Sequence, residues 1–398
     1  MTGGNKLFGA ILLIAGTSIG AGMLAIPVIT AQYGFVAALI LFLVCWLVTT
    51  YAALLMLEVN LWLPAGANII SMTKETLGRN GEIIASLAYL FLLYCLMAAY
   101  LSGMNSLLNT SSQHWIGITP PTWATTLFLI TIFAVVLYLG TRLIDYLNRI
   151  LILGFVISYF GLIGISAPKL QLEQLYHTNF HGMWLALPVL VTAFGYQIII
   201  PSLRLYLNSD VKRLVKAILI GSTIPLLVYI LWELVILGIV PLGGEHGLQS
   251  ILHSSSPEIG CINALEAILK NHFIASLASA LVFFVISTSF VGVSLSLFDF
   301  IADGLHLSRS HFDRLLIAIV AFTPPYIFTL TSSHAFIAAL GYGGIFVAIL
   351  LILLPVMMVM RGRYAKSENS PLKIPGGLIA MLLAILFSLT VIFAQLLQ

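Results

Sequence analysis

The chain has 398 residues, of which 60% are hydrophobic and 8% charged, with a formal net charge of +3. A soluble domain is about 25% charged, so lipid must be the solvent for much of this surface. The basic residues are too few and scattered for a nucleic-acid face. The three cysteines, Cys45, Cys95 and Cys261, are odd in number and show no CxxC spacing, so neither a disulfide framework nor a zinc site is indicated.

Eleven apolar segments approach the roughly 20 residues that a bilayer core requires. The first, near 7–33, runs far beyond the apolar core of a signal peptide and reads as a retained membrane helix. Segments near 35–62, 82–109, 122–141 and 147–167 complete a first set, residues 1–167. The sixth, near 183–206, opens a second set with 213–241, 272–303, 310–330 and 334–360, residues 183–360. An extra helix follows at 376–397. Pro120-Pro121, Gly243-Gly244 and Ser332-Ser333 punctuate the intervals. With the N-terminus inside, fifteen basic residues fall on the inner side and two on the outer, the positive-inside asymmetry. The C-terminus is then outside. The longest outer loop, 242–271, is too small for a signalling domain, which weakens a sensor reading. No charged run lines the mid-membrane as a channel would need. No nucleophile, base or metal set lies at depth, so neither enzyme chemistry nor a cofactor is expected.

Two of these spans carry the same interruption. The first holds Thr17-Ser-Ile-Gly20-Ala-Gly22-Met-Leu-Ala-Ile-Pro27, and the sixth holds Thr192-Ala193-Phe194-Gly195-Tyr196-Gln197-Ile-Ile-Ile-Pro201. Five spans per set is an odd number, so the copies enter from opposite faces, as in an inverted repeat. Thr17 is about 10 residues into its helix, or about 15 Å at 1.5 Å per residue, close to the midplane. Thr192 is equally deep from the other face. Glycine in a membrane helix often serves only close packing. Two matched breaks at matched depth call for more. Their freed backbone groups must face protein, water or a ligand. The N–H groups of Gly20, Ala21 and Gly22 favour a carboxylate. The carbonyls of Gly16, Thr17, Thr192 and Ala193 favour an ammonium or a small cation. Together they suit an α-amino acid.

The sequence resembles the hydroxy and aromatic amino acid permease family, and within it tyrosine-specific permeases. The residues that carry this are Gly16–Pro27, Leu57-Glu58-Val59, Ala98-Ala99-Tyr100, Phe194-Gly195, Pro201-Ser202, Thr288-Ser289-Phe290, Leu297-Phe298-Asp299, Ala302-Asp303 and Ala339–Tyr342. The resemblance implies a bacterial inner-membrane importer of an aromatic amino acid, tyrosine first, driven by protons. It also implies eleven transmembrane helices. The first ten would form the five-plus-five inverted-repeat fold with helices 1 and 6 broken. Tryptophan or a broad aromatic range remains the alternative substrate.

An aromatic side chain needs an apolar slot with few polar contacts. Phe194 and Tyr196 border the second break, and Tyr94 lies near mid-depth of the third helix. Gln197 is the expected partner for a substrate hydroxyl. Asp299 and Asp303 are four apart and share a helix face, where they could form a gate with Arg142 or Arg204. Ser287, Thr288 and Ser289 lie just past the centre of the eighth helix. In sodium-coupled relatives a Thr-Ser pair there ligates sodium with first-helix carbonyls. Some proton-coupled relatives place a lysine in helix five, and segment 147–167 has none. The residues leave sodium open, while the resemblance implies protons.

Overall fold

A computed structural model describes residues 3–139, 141–244, 247–254, 256–270, 272–305, 311–332, 334–366 and 371–398. Every regular element among them is a helix. Long apolar runs in lipid have no water to satisfy their amides, so the intrahelical ladder is the available solution. Among the described residues nine helices are long and apolar enough to cross a membrane. A tenth span arises from a bent pair, and Thr122–Val136 is apolar but shorter.

The bent pair is α1 (Gly3–Ser18) and α2 (Gly22–Thr30), which meet at 55°. All nine residues of α2 are buried. Gly34, with φ 81°, turns the chain into α3 (Phe35–Trp62). The short α4 (Ile69–Leu77) is capped by the Asn68 side chain on the Ser71 amide. Next come α5 (Arg79–Ile116), α6 (Thr122–Leu139) and α7 (Thr141–Ser166). At 38 residues α5 is far longer than a span requires and continues beyond the bilayer.

The sixth span is interrupted too. Helix α8 (Leu187–Ala193) ends at Phe194, a 3-10 turn covers Gln197–Ile199, and α9 (Ile200–Tyr206) restarts with Pro201 in its first turn. Helix α10 (Val211–Ile239) packs against α1, α2 and α3. Segment 242–271, expected as plain loop, contains α11 (Leu248–Leu252) and α12 (Pro257–Leu269). Ile259, Ile262 and Leu265 give α12 an apolar face at helical spacing, and α12 packs on α2 and on α13 (His272–Gly304). This stretch is too short to span but long enough to cover the helix ends beneath it.

Helices α14 (His311–Thr331), α15 (Ala335–Val347), α16 (Leu354–Arg361) and α17 (Gly377–Leu396) complete the bundle. Between α15 and α16 the ladder widens to a π-helix at Ala348–Leu353. Helix α15 lies so close to α8 that a Cβ on Gly344 would come 2.2 Å from the Pro188 carbonyl oxygen. Helix α3 is tied down at its C-terminal end by Glu58. That carboxylate accepts from Arg363 Nε at 2.6 Å, from Arg363 Nη2 and from the Ile374 amide at 2.8 Å, with both side chains buried. A buried guanidinium–carboxylate pair offsets its desolvation only when such extra bonds are present.

Candidate functional site

The two breaks meet. The Ser18 hydroxyl donates to the Ala193 carbonyl at 3.2 Å, joining the end of α1 to the end of α8. From behind, the Tyr229 hydroxyl of α10 lies 2.7 Å from the Ser18 carbonyl oxygen and 2.8 Å from that of Ala193. Its single proton is shared between two carbonyls that the interrupted ladders have released. The Tyr229 ring meets Phe194 edge-on, with centroids 5.1 Å apart. Space is tight where the breaks touch: a Cβ on Gly22 would lie 3.2 Å from the Ala193 Cβ, and one on Gly20 would lie 3.0 Å from Ser289 Oγ.

A cavity of about 380 Å³ opens beside this junction. Pockets for small molecules run from about 300 to 1,000 Å³, so the volume suits one small ligand. Its walls come from the last turns of α1, from α8 and the second break, from the first half of α5 and α7, from the second half of α13, and from α15 with the π-helix. These helix directions place it between the breaks and the face on which the chain starts. Apolar side chains such as Leu93, Ile152 and Val293 alternate with Thr17, Asn148, Thr288, Ser289 and Ser296. Among the described residues no charged side chain lines it. Ionic groups on a ligand must therefore be met by helix ends and neutral donors and acceptors.

Of the residues singled out in the sequence, Thr17, Gly20, Gly22, Thr192, Ala193, Gly195, Thr288 and Ser289 line this cavity. Ala21 lies behind the wall, its amide donating to Ser289 Oγ at 3.3 Å, while Ser289 donates to the Val285 carbonyl at 2.8 Å. Thr192 donates to the Pro188 and Leu340 carbonyls, each at 3.0 Å, and its own carbonyl accepts from the Gly195 amide at 3.2 Å. Thr288 hydrogen-bonds the Asn148 side chain of α7. Phe194 and Tyr196 are buried behind the break, outside the lining. Tyr94 points toward α14, donating to the Val320 carbonyl at 3.0 Å. Ser287 is buried outside the cavity.

Gln197 also faces away. It accepts from the Tyr196 amide at 2.9 Å and donates to the Thr49 carbonyl at 3.1 Å, so both ends of its amide serve backbone. Asp299 and Asp303 are exposed and outside the lining, but Asp299 lies one turn beyond Ser296 on the same face of α13 and its charge acts on Tyr89; Ser296 and Tyr89 both line the cavity. Arg204 is committed to the end of α3, donating to the Asn60 carbonyl, to the Leu63 carbonyl at 2.9 Å and to Ser209 Oγ at 3.1 Å. The side chain of Arg142 lies outside the described residues.

The sequence reading assigned no role to Ser18, Tyr89, Tyr100, Asn148 and Ser296, all in the lining, or to Tyr229 behind the breaks. Asn148 carried a signal, as an amide on a membrane span next to Arg149. Tyr100 and Tyr229 carried none, since a tyrosine in a membrane helix is ordinarily core.

A model of the tryptophan/tyrosine permease family matches residues 3–395. The chain is 34% identical over 390 residues to tyrosine-specific transport system 1 of Haemophilus influenzae, covering 97% of this chain and 96% of that one. It is 32% identical to tyrosine-specific transport system 2 of the same organism, covering 97% and 95%. It is 30% identical to the tryptophan-specific transport protein of Pseudomonas aeruginosa, covering 96% and 92%. With the match spanning nearly every residue, this chain belongs to the tryptophan/tyrosine permease family.

Proposed function

We propose that this multi-pass membrane protein imports an aromatic amino acid, tyrosine in first place, across the bacterial inner membrane by proton symport. The observation that carries the reading is the pair of broken helices whose ends meet on an uncharged cavity of single-ligand size. Opposed helix ends supply partial charges of both signs, which an α-amino acid zwitterion matches. The relatives named above are transporters, and the two at 34% and 32% identity are tyrosine-specific by name. Thr17, Gly20, Gly22, Thr192, Ala193 and Gly195 then frame the substrate. Tyr89, Tyr100 and Asn148 are the polar groups available to its ring. Eleven spans, arranged as 1–167, 183–360 and 376–397 in a five-plus-five inverted repeat, fit the bent first span and the interrupted sixth. The basic residues favour a cytoplasmic N-terminus and a periplasmic C-terminus.

A sodium-coupled reading rests on Thr288 and Ser289 in the cavity wall. Protons are preferred because the family resemblance implies them, although both hydroxyls, donating elsewhere, keep lone pairs that a cation could use. The test is uptake of radiolabelled tyrosine into proteoliposomes under separate pH and sodium gradients, with unlabelled amino acids as competitors. The expected result is saturable, pH-driven uptake, blocked best by tyrosine. Uptake driven by sodium at zero pH difference overturns the proton assignment. Absence of tyrosine exchange overturns the substrate.

A further inference from the structure

Helix α10 holds more than the two breaks. Ser222, Tyr229 and Glu233 are spaced seven and four apart and share one face. Ser222 accepts from Trp46 Nε1 at 3.1 Å and from Thr50 Oγ1 at 3.2 Å. Tyr229 holds the breaks, and Glu233 contacts Thr30, the last residue of α2. Glu233 is fully buried, and its Oε2 has no hydrogen-bond partner among the described residues.

Two proton placements satisfy the contact between Thr30 and Glu233, and burial selects between them. The Thr30 hydroxyl lies 2.7 Å from the Ile26 carbonyl and also contacts Glu233 Oε1. It has one proton, and the carbonyl can only accept. When Thr30 donates to Ile26, the proton of the second contact comes from Glu233 as a neutral acid. An ionised carboxylate would leave a buried charge with an unpaired oxygen and no cation against it.

Among the described residues, the elements packed against α10 place no cation in an ion pair with Glu233. Toward Glu233, α2 presents no titratable group and the last half of α1 presents none. Helix α7 presents Tyr159, whose hydroxyl donates to the Val228 carbonyl at 2.8 Å. The short helix Leu172–Tyr176 carries the solvent-exposed Glu173. Helix α12 brings Cys261 and Glu258. Burial pushes the Cys261 thiol up, with Glu233 adding to it. Burial likewise pushes Glu258 up to about 7, outweighing Ser106 and its own backbone amide, neither of which reaches hydrogen-bonding geometry.

We propose that the Glu233 carboxyl carries the coupling proton, and that its bond to Thr30 latches the second half of the broken first helix against α10. This rests on the proton-symport reading above. With the proton in place, α2 stays seated and the far face is closed. When the O–H bond breaks and the proton passes to water, the anion requires hydration, and α2 can no longer stay packed over it. Glu233 is four residues from Tyr229, about 6 Å along the helix at 1.5 Å per residue. Ligand at the breaks and proton at Glu233 therefore act on one rigid face, which gives them a common two-state element.

The test uses the full chain in proteoliposomes. Three quantities are read: tyrosine counterflow without ion gradients, accumulation under an inward pH gradient, and tyrosine-dependent proton entry reported by a trapped dye. One proton moving down a pH difference of about one unit supports about a tenfold concentration ratio. Glu233→Gln keeps the shape and a donor to Thr30 but cannot release a proton. It is expected to retain counterflow, lose that roughly tenfold accumulation and show no tyrosine-dependent proton entry. Glu233→Asp is expected to recover part of the proton entry. Wild-type accumulation and proton entry in Glu233→Gln overturn the assignment, because the proton then travels elsewhere. Loss of counterflow in both variants also overturns it, because the side chain is then structural. Wild-type protein that exchanges tyrosine without any response to pH refutes the proton reading beneath the proposal. Wild-type protein that does not exchange tyrosine refutes the substrate.

Discussion

Tyr229→Phe isolates one hydroxyl at the junction of the two breaks. The ring keeps its edge-on contact with Phe194, so packing is conserved and only the polar atom is lost. Two carbonyls used that hydroxyl, but they do not suffer equally. Ala193 retains the Ser18 hydroxyl at 3.2 Å, whereas the Ser18 carbonyl loses the Tyr229 donor. One orphaned buried acceptor costs about 1–3 kcal/mol. The lower figure sets the minimum cost. About 1 kcal/mol is about fivefold in an equilibrium constant. Tyr229 approaches from the buried side and holds the breaks in register for a ligand. The variant should therefore bind tyrosine about fivefold more weakly. Equilibrium binding of labelled tyrosine to detergent-purified protein measures this, with thermal unfolding as a check on folding. An unchanged or tighter dissociation constant would refute the idea that this hydroxyl preorganises the site.

Two further outcomes follow from contacts outside the cavity. Gln197→Leu strips a partner from the Tyr196 amide and from the Thr49 carbonyl, at about 1–3 kcal/mol each. The thermal midpoint should fall while tyrosine and phenylalanine compete in the wild-type ratio; a changed ratio would bring Gln197 back as a specificity residue. Glu58→Ala leaves the buried Arg363 guanidinium without its anion and should destabilise by about 3–5 kcal/mol. The double variant with Arg363→Leu should recover part of the loss in a detergent melt, and a single variant melting like wild type would show the pair to be incidental.

Composition and apolar run length alone made this a helical membrane protein, because amides in lipid are restricted to helices once no strand pattern is present. The same local reading located both interruptions, since glycine and proline act on the backbone where they stand: α1 ends at Ser18 and α8 at Ala193, within the two Thr-x-x-Gly stretches. Side-chain direction was not readable in that way. Gln197 and Thr192 are five apart on interrupted backbone, where no helical period relates them, and one serves amides behind the break while the other lines the cavity. Tyr229 and Glu233 acquire their roles only from what α10 packs against, Ser18 and Ala193 in one case and Thr30 in the other, across separations of up to 211 residues. Hydrophobic periodicity records how much of a helix is covered and says nothing of which carbonyl lies beneath each hydroxyl; that pairing is a property of the packed bundle.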